Sequence, residues 1–209
     1  MHRKLIGIFA VVLALGLVPT TYGVVVGDWE NDLDGWTTDC GATLSAPDLT
    51  WSSSGSASLK VIDDQSCWQT VMLQMAHDPS AYPDILANNI FSVDSMLYTG
   101  DVSGNVGLHL IIGGGGPVHN FWDDYGYQWV GNGGFDFQAT STWDYSVTQA
   151  KMLENEAAGG HSWWQFMIIT NNPGDLTIYL DNAQLTPEPT TIALLGLGGL
   201  ALLRRKRGR

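Results

Sequence analysis

Trp163-Trp164-Gln165-Phe166-Met167-Ile168-Ile169-Thr170, Asn171-Asn172-Pro173-Gly174-Asp175, Leu176-Thr177-Ile178-Tyr179-Leu180-Asp181-Asn182-Ala183-Gln184-Leu185: on these three segments the reading of the fold turns. The first is a short apolar run rich in aromatic and β-branched residues, the composition of a buried strand. The second packs Asn, Pro, Gly and Asp into five positions, a turn signal. The third returns as a second strand, so the three together predict a hairpin.

Working outward, the same grammar recurs. Residues 57–62 alternate in polarity, residues 90–98 are β-rich, and residues 106–112 run into Gly113-Gly114-Gly115-Gly116. Residues 125–130 are aromatic and alternating. Lys, Arg, Glu and Ala, the strong helix formers, are scarce in the middle of the chain. Only residues 79–89 and 149–158 have a weak helical signal. Many short strands with few helices predict an all-β domain, a β-sandwich or barrel.

Both ends read differently. His2, Arg3 and Lys4 precede an uncharged apolar run at residues 5–18, then Pro19-Thr20-Thr21-Tyr22-Gly23. Charge, apolar stretch and small residues in that order make a secretory signal with cleavage after Gly23. The run has about 14 residues, short of the roughly 20 of a spanning helix. At the other end Pro187-Glu188-Pro189 stops the domain. Residues 192–203 are then only Ile, Ala, Leu and Gly, and Arg204-Arg205-Lys206-Arg207-Gly208-Arg209 closes the chain. An apolar segment followed by a basic cluster inserts in the bilayer with its charges held cytoplasmic. The predicted organisation is a signal peptide at 1–23 with a signal helix, a domain at 24–186, and a tail at 187–209 carrying a hydrophobic transmembrane helix.

Of the 21 acidic residues all but Glu188 lie between Val24 and Pro187, against two lysines, Lys60 and Lys151, a net charge of −18 where the whole chain carries −12. Such a surface repels phosphate backbones and excludes nucleic acid as a partner. Cys40 and Cys67 are the only two cysteines. In an exported chain an even pair predicts a disulfide. No nucleophile elbow and no zinc helix is present. His119 with Asp123 and Asp124 offers metal-ligand chemistry, but a solvated polar loop accounts for it more simply. The four-glycine run lacks a following Lys and helix, so it reads as a flexible turn.

Pro187-Glu188-Pro189, the apolar run and the arginine-rich end resemble the PEP-CTERM sorting signal of bacteria. That resemblance implies an exosortase-type membrane transpeptidase as partner, and delivery to the cell surface. Within the domain, Asp28-Trp29-Glu30-Asn31-Asp32-Leu33-Asp34-Gly35-Trp36, Gly55-Ser56-Ala57-Ser58-Leu59-Lys60-Val61 and the strand 176–185 are similar to three ordered motifs of jelly-roll, galactose-binding-like carbohydrate-binding modules. The resemblance implies a β-sandwich and a structural Ca²⁺ tying the first strand to the last. The matching ligand positions are Glu30 and Asp181; carbonyls would have to complete a shell of 6–8 oxygens. An EF-hand reading of Glu30, Asp32 and Asp34 fails because Gly41 stands where the loop needs Glu.

Candidate sugar-binding residues are Trp122, Tyr125, Tyr127 and Trp129, rings set among Asp, Asn and Gln. Alternation puts Tyr125, Tyr127 and Trp129 on one strand face and Gly126 and Gln128 on the other, the ring face serving either as a binding surface or as core. Trp163 and Trp164 face opposite ways if extended. The expected function is non-catalytic binding of extracellular polysaccharide, with a structural surface component or a glycan-acting enzyme as alternatives.

Overall fold

The computed structural model describes residues 23–38, 42–63, 71–98, 105–132, 137–170 and 176–188. Among the described residues ten strands carry the fold: β1 Val24–Gly27, β2 Thr43–Asp48, β3 Ser58–Asp63, β4 Val71–Gln74, β5 Ile90–Tyr98, β6 Asn105–Gly115, β7 Asn120–Asn132, β8 Phe137–Asp144, β9 Trp163–Thr170 and β10 Leu176–Thr186. A 3-10 turn at Pro79–Ala81 leads into helix α1, Tyr82–Ala87, and helix α2 spans Ser146–Ala157. The strands form two antiparallel sheets. One runs β2-β3-β10-β5-β8 with β1 continuing the β3 edge of β10; the other runs β4-β9-β6-β7. The β-sandwich expected from the strand pattern is the architecture found.

The hairpin is not. β9 lies between β4 and β6 in one sheet, and β10 lies between β3 and β5 in the other. The two runs are consecutive in sequence but belong to opposite layers. Each is apolar enough to want two neighbours, and β10 finds them through pairs such as Ile178↔Val61 and Ile178↔Leu97. A turn signal fixes where a chain bends and says nothing about which long-range partners outcompete the local one. Between the layers the inward positions interdigitate: Leu59 and Val61, Phe91 and Val93, Leu108 and Leu110, Phe166 and Ile168, Ile178 and Leu180 are all buried. Phe91 stacks on Trp143 and meets Phe166 edge-on across the core, arrangements favoured by the aromatic quadrupole.

The glycine run also differs from the expected turn. Gly113, Gly114 and Gly115 are the end of β6, paired with Trp122, Phe121 and Asn120. The true turn falls at residues 116–119, where Gly116 N donates to His119 O. Asn155 of α2 holds it: its Oδ1 accepts from Val118 N and His119 N, and its Nδ2 donates to His119 O. That orientation makes the same Nδ2 the donor toward His161 Nε2 at 3.2 Å. The imidazole therefore accepts at Nε2 and carries its proton at Nδ1, which faces the Tyr82 hydroxyl and, at 3.6 Å, Glu156.

The His161 side chain is 1% exposed. Burial lowers its pKa below the ordinary imidazole value of 6.5, with the nearby Glu156 carboxylate opposing. Protonation would set N–H against N–H at Asn155. Because the folded state disfavours the proton, this contribution to stability is full above pH 6.5 and is lost as pH falls from there toward the folded value. A melting curve followed from pH 7 to 5 is expected to fall for the parent and to flatten in His161→Gln. Parallel slopes for the two would remove His161 from the account.

Candidate functional site

β7 carries an extra residue at two places against β6, one opposite Val106 and Gly107 and one opposite His109 and Ile111, and the second decides which rings face out. His109 pairs with Tyr127 but Ile111 pairs with Asp124, so two steps on β6 span three on β7. Gly126 takes the bulged position at φ 72°, and its N–H is held by Asp124 Oδ1 at 2.7 Å. A bulge inverts the alternation beyond it. Trp122, Tyr127 and Trp129 consequently share the outer face and are 50%, 39% and 46% exposed. Tyr125 does not join them. It packs against the core, and its hydroxyl pairs with Thr148 Oγ1 at 2.5 Å. The three-ring face expected from unbroken alternation loses Tyr125 to the interior and gains Trp122.

Trp163, 37% exposed, extends the row from β9, while its neighbour Trp164 is 3% exposed and faces in. The Trp122 and Trp163 rings lie 6.4 Å apart at 40°. Glycines of β6 let these rings lie close to the sheet. A Cβ on Gly107 would stand 2.0 Å from the Tyr127 ring, and one on Gly113 would stand 2.6 Å from Trp122 and 3.0 Å from Trp163. The glycine run thus provides a floor on which rings rest, a role invisible when it is read as a turn. Polar groups are set between the rings: His109 Nδ1 lies 3.3 Å from Asp124 Oδ1, and its ring is 5.8 Å from that of Tyr127. Aromatic faces alternating with hydrogen-bonding groups on an open surface suit ligands with C–H faces and hydroxyl edges.

His119, Asp123 and Asp124 are not brought together. His119 pairs with Glu154 at 2.6 Å, Asp123 accepts two 2.7 Å bonds from Lys151, and Asp124 belongs to the ring face. Sequence reading missed His109 and Trp163 as members of the face. Only the pairing of β6 with both β7 and β9 puts them there.

Glu30 and Asp181 converge on one loop, residues 53–57. Glu30 accepts from Ser56 N, Ser56 Oγ and Ala57 N at 2.7, 2.7 and 3.0 Å. The Ser56 hydroxyl, then the Ala57 and Ser56 amides, hold its carboxyl below the usual range. Asp181 is fully buried, and its Oδ2 accepts from Ser53 N, Ser54 N and Ser53 Oγ at 2.7, 2.8 and 3.1 Å. Among the described residues its Oδ1 accepts only from Asn182 N, as Glu30 Oε2 accepts only from Ser56 Oγ. Each carboxylate keeps one lightly used oxygen, and every donor group on offer is hard oxygen, the chemistry Ca²⁺ takes. Among the described residues no three His, Cys, Asp or Glu side chains gather, so loop carbonyls would complete any shell.

Cys40 and Cys67, and with them the expected disulfide, lie outside the described residues, as do Pro189, the signal segment and the apolar tail. No helix of the described residues is long and apolar enough to cross a membrane. Pro187 and Glu188 follow directly on β10, where Glu188 N donates to Asn89 Oδ1 at 2.8 Å.

Residues 185–207 match the PEP-CTERM protein-sorting motif. No curated protein matches the chain by sequence. Among solved structures, a xylan-binding domain from CBM 22 is 16% identical with a TM-score of 0.52, over 79% of this chain and 93% of that one. The C-terminal family 22 carbohydrate-binding module of Clostridium thermocellum Xyn10B is 16% identical with a TM-score of 0.53, over 81% and 94%. The CBM22-1 and GH10 modules of the same xylanase, complexed with xylohexaose, give 11% and 0.51, over 81% of this chain and 29% of that one. At these identities the likeness is one of fold: the domain is a jelly-roll β-sandwich of the kind carbohydrate-binding modules use.

Proposed function

We propose that the chain is an exported, non-catalytic protein that binds extracellular polysaccharide and is sorted to the cell surface. The observation that carries this reading is the row of Trp163, Trp122, Tyr127 and Trp129 on the outer face of the four-stranded sheet, backed by glycines and interleaved with His109 and Asp124. Rings held against a sheet lose little entropy on binding, and each offers a flat apolar area to a sugar face. An open face of this kind takes a segment along an extended chain rather than a small enclosed molecule. The test is retention of the domain, residues 24–186, on arrays of xylans, mannans and glucans. Retention by one class with loss of retention on excess soluble polymer supports the reading. A protein that passes through every polymer unretarded is a structural surface component instead.

Sorting rests on Pro187-Glu188-Pro189, with the apolar run and basic end behind it. An exosortase-type transpeptidase is the partner, the tail anchors the protein in the membrane before processing, and the processed domain passes to the cell surface or outward. Glu188→Gln is expected to leave export intact and to keep the tail attached, seen as retention in the membrane fraction at the unprocessed mass. Processing and release at the parental rate would overturn the assignment.

Calcium completes the proposal. Glu30 and Asp181, with carbonyls of the loop they both grip, would hold one Ca²⁺ between the region following β1 and the bulge of β10. Its chemistry there is structural, neutralising charge in a domain of net −18.

A further inference from the structure

The opposite face of the sandwich has a concavity of its own. Where the loop after β2 crosses the outer side of the six-stranded sheet, a cavity of about 230 Å³ opens between Trp51 and Ser53 on the loop, Asp94 on β5, and Gln138 and Thr140 on β8. We infer that this cavity is a second carbohydrate site, one that takes a single pyranose ring, either free or at the end of a chain.

The lining makes the case. Asp94 is held by Thr140 Oγ1 at 2.6 Å on Oδ1, by Asn182 Nδ2 at 3.1 Å on Oδ2, and by the Ser53 hydroxyl at 2.8 Å on Oδ2, a single proton shared with Asp181 Oδ2 at 3.1 Å. A carboxylate offers about four acceptor positions, so one remains on Oδ1, already oriented. Gln138 and Thr140 are both exposed and lie two apart on β8, hence on one face, opposite Met96 and Asp94 in register. Gln138 adds an amide that both donates and accepts. Trp51 supplies the apolar wall. The loop that brings it is anchored on its C-terminal side by Asp181 at Ser53 and Ser54 and by Glu30 at Ser56 and Ala57. The wall is therefore positioned before any ligand arrives.

A ring with C–H bonds on its face and hydroxyls at its edge matches one indole, one free carboxylate position and one amide. An anion would be repelled by Asp94. A cation would find one carboxylate lining the cavity, Asp94, already met by Thr140, Asn182 and a hydroxyl shared with Asp181. The volume falls below the roughly 300–1,000 Å³ of larger ligand sites and matches one ring rather than several. The site is separate from the ring face of the other sheet. A domain with a site on each outer face can bridge two polysaccharide chains, which raises retention by avidity without new contacts.

The test uses the isotope-labelled full chain in phosphocholine nanodiscs, which carry no sugar headgroups, titrated with methyl glycosides of xylose, glucose, galactose and mannose. The Trp51 indole resonance, assigned by its loss in Trp51→Phe, is expected to shift saturably with a dissociation constant on the order of 1 mM for at least one sugar. The shift persists in a Trp122→Ala/Trp129→Ala double variant. Gln138→Ala, an exposed position, keeps the parental melting temperature and weakens binding about tenfold, one hydrogen bond's worth. A Trp51 indole unmoved by every glycoside, or one that titrates unchanged in Gln138→Ala, overturns the site. The Trp122 and Trp129 indoles report the other face in the same spectra, so the two readings stand or fall separately.

Discussion

Asp181→Ala is expected to lower the melting temperature by about 6–12 °C, and to erase most of the rise that calcium gives the parent. The carboxylate is fully buried and accepts from three backbone amides, Ser53, Ser54 and Asn182, and one hydroxyl. Truncation leaves those donors without an acceptor, each worth about 1–3 kcal/mol where water cannot replace the partner. Ser53 and Ser54 are exposed residues, so water recovers part of that, and a net loss of about 3 kcal/mol is the expected total. Over a domain of this size each kcal/mol moves the midpoint by roughly 2–4 °C. On the calcium proposal, the metal at one hundred times its dissociation constant would add about 2.7 kcal/mol to the parent, because the unfolded chain has no formed site.

The two effects separate cleanly. If the parent melts alike in calcium and in chelator while Asp181→Ala is still destabilised, the amide grip on the loop suffices and the calcium proposal is lost. Glu30 adds a pH signature of its own. Its carboxyl is held below the ordinary 4.5, so its contribution is full above that value and is lost as pH falls below it, a window distinct from that of His161.

How far the sequence alone reached differs from element to element. Strands at residues 90–98 and 163–170 are legible to the residue, because each is a run of β-formers with turn residues on either side. β1, β2, β4 and β8 are not. Their residues are few or mixed, as in Thr43-Leu44-Ser45-Ala46-Pro47-Asp48, and they are strands only because neighbours pair with them. That Glu30 and Asp181 lie near one another follows from the resemblance to carbohydrate-binding modules, whereas the loop of residues 53–57 that both carboxylates hold was not legible, because it is fixed by hydrogen bonds between segments far apart in sequence. The false hairpin and the displaced Tyr125 share a cause. Local pattern reports periodicity and bends, whereas layer assignment and bulges are decided by pairing with strands far away in sequence.

That same bulge supplies the sharpest test of the ring face. Trp122→Ala and Trp129→Ala are each expected to weaken polysaccharide binding by about thirtyfold, the equivalent of about 2 kcal/mol for losing an aromatic anchor. Melting temperature should hardly move, because both rings are about half exposed on the outer face of the sheet. Tyr125→Phe should do the reverse. It removes the hydroxyl that pairs with Thr148 Oγ1 and accepts from Thr148 N at 3.1 Å, costing about 1 kcal/mol of stability while binding stays at the parental level. Were β7 regular, Tyr125 would stand beside Tyr127 and Trp129 and its substitution would be felt by the ligand. Affinity measured for the three variants on whichever polymer retains the parent therefore reads the register directly. Equal losses for Tyr125→Phe and Trp129→Ala would place Tyr125 on the binding face and withdraw the bulged geometry. Unchanged affinity in Trp122→Ala and Trp129→Ala alike would remove the aromatic row as the site, whatever the protein binds.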